Sequence, residues 1–168
     1  MSKKLIKKVS LFAAVFFLAY SFNYQDKLGE TAGKQFLPKG LSSIPADISQ
    51  VCLEKTCFDV EIADTAYKQE IGLMNRESLG RNRGMLFVFG AEDKHKFWMK
   101  NTLIPLDIIW IGGNSKIIFM QKNAQPCKID PCEIFGPDEN AKYILEINGG
   151  LAENIELEIG DEIRILGN

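Results

Sequence analysis

Gly84-Met85-Leu86-Phe87-Val88-Phe89 is an unbroken apolar run, opened by one glycine and followed by Gly90. It has no polar position to turn toward water, so it predicts a strand buried on both faces. The rest of the chain must then supply layers to cover it. Phe58-Asp59-Val60-Glu61-Ile62-Ala63 alternates apolar and polar residues, the pattern of a half-buried strand. Asp107 to Ile111 reads as a strand ending at the hairpin signal Gly112-Gly113-Asn114, with Lys116 to Lys122 as its return. Lys142 to Ile147 and Glu162 to Leu166 are two further strands, and Phe97-Trp98-Met99 is a short apolar piece before a turn at Ile104-Pro105. Helical signals are brief. Asp64 or Thr65 can cap a helix with Tyr67, Ile71 and Met74 on one stripe, and Gly149-Gly150 opens another that runs to about Ile155. The expected fold is mainly β (α+β): a small antiparallel β-barrel-like domain with two or three short helices.

The N-terminal residues have a different character. Lys3, Lys4, Lys7 and Lys8 precede an apolar stretch from Val9 to Tyr20, and Ala19 and Ser21 supply small residues for a cleavage site. Residues 1–21 are therefore expected to be a signal peptide or a membrane anchor; the apolar run is shorter than the roughly 20 residues of a typical spanning helix. Residues 22–50 are polar, aperiodic and punctuated by Gly29, Gly33, Gly40, Pro38 and Pro45, which predicts a flexible linker. Residues 51–168 are left as a single globular β-rich domain. An exported, periplasmic, cell-surface or secreted location follows, with membrane contact only through the N-terminal segment. Cleavage near residue 21 leaves 16 basic against 22 acidic residues, a balance of about −6. A mildly acidic domain without a basic stripe argues against nucleic acid as a partner.

Cysteine usage points the same way. Cys52 and Cys57 bracket one probable turn, and Cys127 and Cys132 bracket another. In an exported chain two local pairs read first as the disulfides 52–57 and 127–132. Shared metal ligation would need all four thiolates to converge, and neither pair has the C-x-x-C spacing of a redox centre.

Several blocks are also similar to a known family. Glu70-Ile71-Gly72-Leu73-Met74-Asn75-Arg76, Gly84-Met85-Leu86-Phe87, Phe97-Trp98-Met99-Lys100-Asn101-Thr102-Leu103-Ile104-Pro105-Leu106-Asp107, Tyr143-Ile144-Leu145-Glu146 and Gly160-Asp161 resemble the family catalogued as domain of unknown function 192. The resemblance covers about residues 57–166, in order. It implies a small β-rich, barrel-like domain, often behind an export signal, and it carries over no catalytic residue.

The residues themselves offer three constellations. In the first, Trp98 forms a wall whose polar neighbours are Asn101, Thr102 and Asp107, with Arg76 and Glu146 nearby; an aromatic wall with a few polar groups suits a small ligand. Packing by Trp98 and turn formation by Asn101-Thr102 explain the same residues structurally. In the second, Asp107 and Glu146 lie on predicted strands. If buried, each needs a hydrogen-bonding or ionic partner, and Arg76 is a plausible one. The same two acids could instead serve a small hydrolase or lyase as a carboxylate pair. In the third, Met74, Met85, Met99, His95 and Trp98 could bind Cu(I) in an exported carrier, although methionine on apolar runs is usually core filler. Phosphate-loop, dinucleotide, nucleophile-elbow and zinc-protease motifs are missing from the sequence, so no cofactor is expected. The leading expectation is a non-enzymatic binding or accessory module at the cell envelope, with a small molecule or an envelope protein as partner.

Overall fold

A computed structural model describes residues 48–167. The expected signal segment, and the expected linker as far as residue 47, lie outside the described residues. The elements run β1 (Ile48–Leu53), β2 (Thr56–Ala63), α1 (Ala66–Ile71), β3 (Arg83–Asp93), β4 (Phe97–Trp98), β5 (Leu106–Ile111), β6 (Ile117–Ala124), β7 (Ile134–Phe135), β8 (Ala141–Asn148), α2 (Leu151–Asn154) and β9 (Ile163–Gly167). β1 thus begins inside the stretch read as linker. Gln50 pairs with Asp59 across the β1–β2 hairpin and its amide donates to that carboxylate at 2.8 Å, so residues 48–50 are sheet.

Seven strands form one curled sheet in the order β6-β5-β8-β3-β2-β1-β9, while β4 and β7 make a small separate ribbon. The two edge strands of the large sheet meet at one end. There Lys116 bridges Glu162, and the Ile163 N–H donates to Ser115 O at 2.9 Å. Among the described residues the result is a mostly β half-barrel with two short helices. One pairing departs from the antiparallel expectation: β2 and β3 run parallel. Residues 64–82, which include α1, cross over between them, and a crossover of that length returns the chain in the same direction.

Alternation along the strands splits the apolar residues between two faces. On one face Val51, Leu53, Phe58, Leu86, Ile109, Leu145 and Ile163 fill the inside of the curl. On the other, Leu73, Phe87, Met99, Leu106, Ile108, Trp110 and Ile144 form a second core under the loops and the β4–β7 ribbon. Gly84 to Val88 is buried at every position, as its unbroken apolar character requires.

The α1 stripe does not pack as its spacing suggests. Thr65 caps the helix by accepting the Lys68 N–H, but Gly72 ends it after Ile71, and none of its residues is buried. Tyr67 is 74% exposed and Ile71 41%. Gln69 is the residue that ties α1 to the sheet, donating to Ala63 O and to Val88 O at 2.9 Å. A single turn and a half of helix is too short for an i, i+4, i+7 stripe to act as one face.

Both local disulfides form. Cys52 and Cys57 are register partners across the β1–β2 hairpin, and Cys127–Cys132 closes the loop before β7. Such pairs fit an oxidising environment. Among the described residues no helix is long and apolar enough to cross a membrane.

Candidate functional site

Strand register places the two buried carboxyl groups. Along β5 and β8, Asp107 stands opposite Ile147 and Ile108 opposite Glu146. Directly opposed residues share a face and successive residues alternate. Asp107 therefore points to the inner face and Glu146 to the outer one. They cannot work as a pair on one substrate, which removes the carboxylate-pair mechanism.

Asp107 is fully buried and its bonding is complete on backbone donors. Oδ1 accepts the N–H of Asn123 (2.7 Å) and of Gly150 (3.0 Å), and Oδ2 accepts that of Ala152 (2.7 Å). Gly150, at the N-cap of α2, has no side chain to cap it, and Asp107 supplies the acceptor from a neighbouring strand. Its role is to join β5, the end of β6 and the start of α2. Arg76 is not its partner, nor that of Glu146. The Arg76 guanidinium donates to Glu61 with two nitrogens, at 2.9 and 2.6 Å, because the parallel β2–β3 pairing brings Glu61 to the outer face beside residues 73–76.

Glu146 is different. Only 5% of it is exposed, and its Oε2 is buried with no hydrogen-bond partner among the described residues. Met85 and Ile108 flank it on the adjacent strands. Burial pushes its carboxyl up to about 8, since nothing nearby stabilises the charged form. The carboxyl borders a cavity of 280 Å³. Residues 69–74 form one wall, Phe87 and Glu146 the floor, and Lys96, Phe97, Trp98 and Thr102 the other wall. Gly72 makes the first wall close enough. Its φ of 49° and ψ of −131° suit glycine, and a Cβ there would come within 3.1 Å of the Phe87 ring.

Trp98 sits at the mouth, 49% exposed, on the β4–β7 ribbon opposite Ile134. Lys100 lies over its ring at 5.7 Å and binds Asp130 at 2.8 Å, which links the Trp98 strand to the second disulfide loop. Thr102 is buried at the same wall. Asn101 is exposed and takes a left-handed turn with φ 58°, its carbonyl accepting the Asn75 N–H at 2.8 Å. Trp98, Thr102 and Glu146 thus border one cavity, whereas Asn101, Asp107 and Arg76 do not. Phe87, Phe97, Gly72 and Gln69 border it too and were not singled out from sequence. Gly72 had the clearest signal, a glycine just past a short helical stretch. Of the sulfur and imidazole groups considered for Cu(I), Met74 borders the cavity, Met85 and Met99 are buried in the outer core, and the His95 ring stacks on Phe89 at 3.5 Å. A second cavity of 440 Å³, lined by Glu54, Lys55, Thr56 and Glu156 among others, contains no buried orphan polar group.

The model of a family described as uncharacterized ACR, DUF192, matches residues 49–165. The chain belongs to the DUF192 family. Curated relatives in that family include a UPF0127 protein of Thermococcus sibiricus, 31% identical over 109 residues. That match takes in 62% of this chain, and the chain spans 64% of the relative's length. A UPF0127 protein of Pyrococcus horikoshii is 29% identical over 111 residues, covering 63% of this chain and 86% of the relative. Among solved structures, a protein of unknown function from Novosphingobium aromaticivorans superposes with a TM-score of 0.65 at 32% identity, covering 74% of this chain and 95% of that one. A protein from Sinorhizobium meliloti described as a putative transcription regulator gives 0.65 at 29%, covering 73% and 98%. The fold is thus shared with these two solved structures, and the Glu146 cavity is set within the part of the chain that the family model matches.

Proposed function

We propose that this protein is an exported, non-enzymatic binding module of the cell envelope whose ligand seats in the cavity between Trp98 and Glu146. The observation that carries this reading is the Glu146 carboxyl, buried at a cavity floor with Oε2 unpaired. A buried polar group without a partner costs about 1–3 kcal/mol, and native proteins keep few of them. A ligand that completes the bond offsets that cost. The aromatic and apolar walls suit a small molecule or a side chain of an envelope protein. A binding rather than catalytic role is supported by Asp107, whose carboxylate faces the other way and serves three backbone amides. Export is supported by the lysine cluster and apolar run of residues 1–21 and by two disulfides. Membrane contact then falls to the N-terminal segment alone, and the acidic balance gives nucleic acid no attraction.

A thermal-shift screen of the full chain against sugars, short peptides and metal ions tests the reading, with W98A in parallel. Binding to the folded state raises Tm by mass action. At least one compound is expected to raise Tm in the wild type and not in W98A. Equal shifts in both proteins place the binding elsewhere and contradict it.

A further inference from the structure

Resting on that binding reading, we infer that the ligand carries a primary alkylammonium group, which donates to Glu146 Oε2 among the aromatic rings of Phe87, Phe97 and Trp98. The charges around the cavity set this choice. Glu146 offers an acceptor with no donor. Glu70 adds a second carboxyl at the exposed rim. Lys96, the cation of the lining, is already committed: its ammonium donates to Gly136 O (2.9 Å) and Pro137 O (2.7 Å) and lies 3.7 Å from Asp138. Lys100 is held by Asp130, and Arg76 by Glu61, across the outer face. None of these cations reaches the Glu146 carboxyl.

The walls fit the same chemistry. Aromatic faces attract cations, and Trp98 already accepts one from Lys100. Ile71, Leu73 and Met74 give a short alkyl stem an apolar channel. At 280 Å³ the space is near the small end of ligand sites, suited to such a stem rather than to a large ring system. The proton balance is simple. At neutral pH the Glu146 carboxyl holds its proton; when the ammonium enters, that proton leaves to solvent, and the carboxylate accepts the ammonium N–H.

That release gives the site a signature. The full chain is titrated with n-butylamine, n-butanol and Nα-acetyl-lysine amide between pH 6 and pH 9, with NMR shifts of Trp98 and Phe97 as the readout. Affinity for n-butylamine is expected to rise by about tenfold per pH unit from 6 toward 8 and then to level off. In E146Q the pH dependence disappears and affinity at pH 8 falls at least tenfold. Tighter binding of the lysine amide than of n-butylamine assigns the group to a polypeptide side chain, and the reverse order assigns it to a free amine. If n-butanol binds in the cavity and n-butylamine does not, or if affinity falls as pH rises through 8, the ammonium inference is wrong while the binding site stands. If none of the probes moves the Trp98 and Phe97 signals, the ammonium inference is wrong, and the binding site is decided by the thermal-shift screen alone.

Discussion

Asp107 and Glu146 occupy adjoining rungs of neighbouring strands, yet their carboxyl groups lie on opposite sides of the sheet. One is saturated with backbone donors and the other has an oxygen with none. The two acids therefore respond to substitution in different ways.

Replacing Asp107 leaves three backbone N–H groups without their acceptor. Hydrogen bonds to a charged group contribute about 1.5–3 kcal/mol each and are not additive. D107A is expected to lower the unfolding free energy by about 3 kcal/mol or more in urea titration. A loss within about 1 kcal/mol would mean that the amides of Asn123, Gly150 and Ala152 find other acceptors at no cost.

Glu146 should make stability fall with rising pH. Its carboxyl ionises at about 4.5 in an unfolded chain and at about 8 in the folded one, through burial. Between those values the folded protein holds a proton that the unfolded chain has released. The stabilisation is complete below about 4.5, declines across the window and is gone above about 8, a change on the order of 5 kcal/mol. His95, whose pKa burial lowers, acts in the opposite sense just below 6.5. Comparing E146Q with the wild type isolates the Glu146 part: the stability advantage of E146Q should grow from pH 5 to pH 8. Parallel curves would contradict it.

Gly72 lets the first cavity wall approach the Phe87 ring. A methyl group there meets Phe87 and needs a backbone conformation that side chains rarely adopt. G72A is expected to cost about 2 kcal/mol and to shift the Phe87 ring signals, whereas an alanine at exposed Ser78 should do neither.

The second disulfide supports the other wall. The Cys127 N–H donates to Met99 O at 3.2 Å, and the loop it closes leads to Ile134, the partner of Trp98. The C127S/C132S double variant should lose about 2 kcal/mol and show faster amide exchange in residues 97–99. Unchanged exchange there would detach the wall from the disulfide.

Much of the fold is legible in the residues. Continuous apolar character at Gly84–Phe89 identifies β3, glycine turns mark the β5–β6 hairpin, and each cysteine pair is local enough to specify its own bond. What local pattern cannot show is pairing between distant strands. The parallel β2–β3 ladder gives Arg76 its partner Glu61, and the β5–β8 register sets Asp107 and Glu146 back to back. Both relations depend on residues far apart in sequence. The α1 stripe misleads for a related reason: its periodicity continues past Gly72, where the helix ends.

The protonation state of the Glu146 carboxyl can be observed directly. With ¹³C-labelled glutamate in the full chain, the Glu146 side-chain carboxyl signal, assigned by its loss in E146Q, should titrate near pH 8 in the free protein. A midpoint near 4.5 would show a carboxyl already solvated or paired, and would contradict the cavity floor proposed for the binding site.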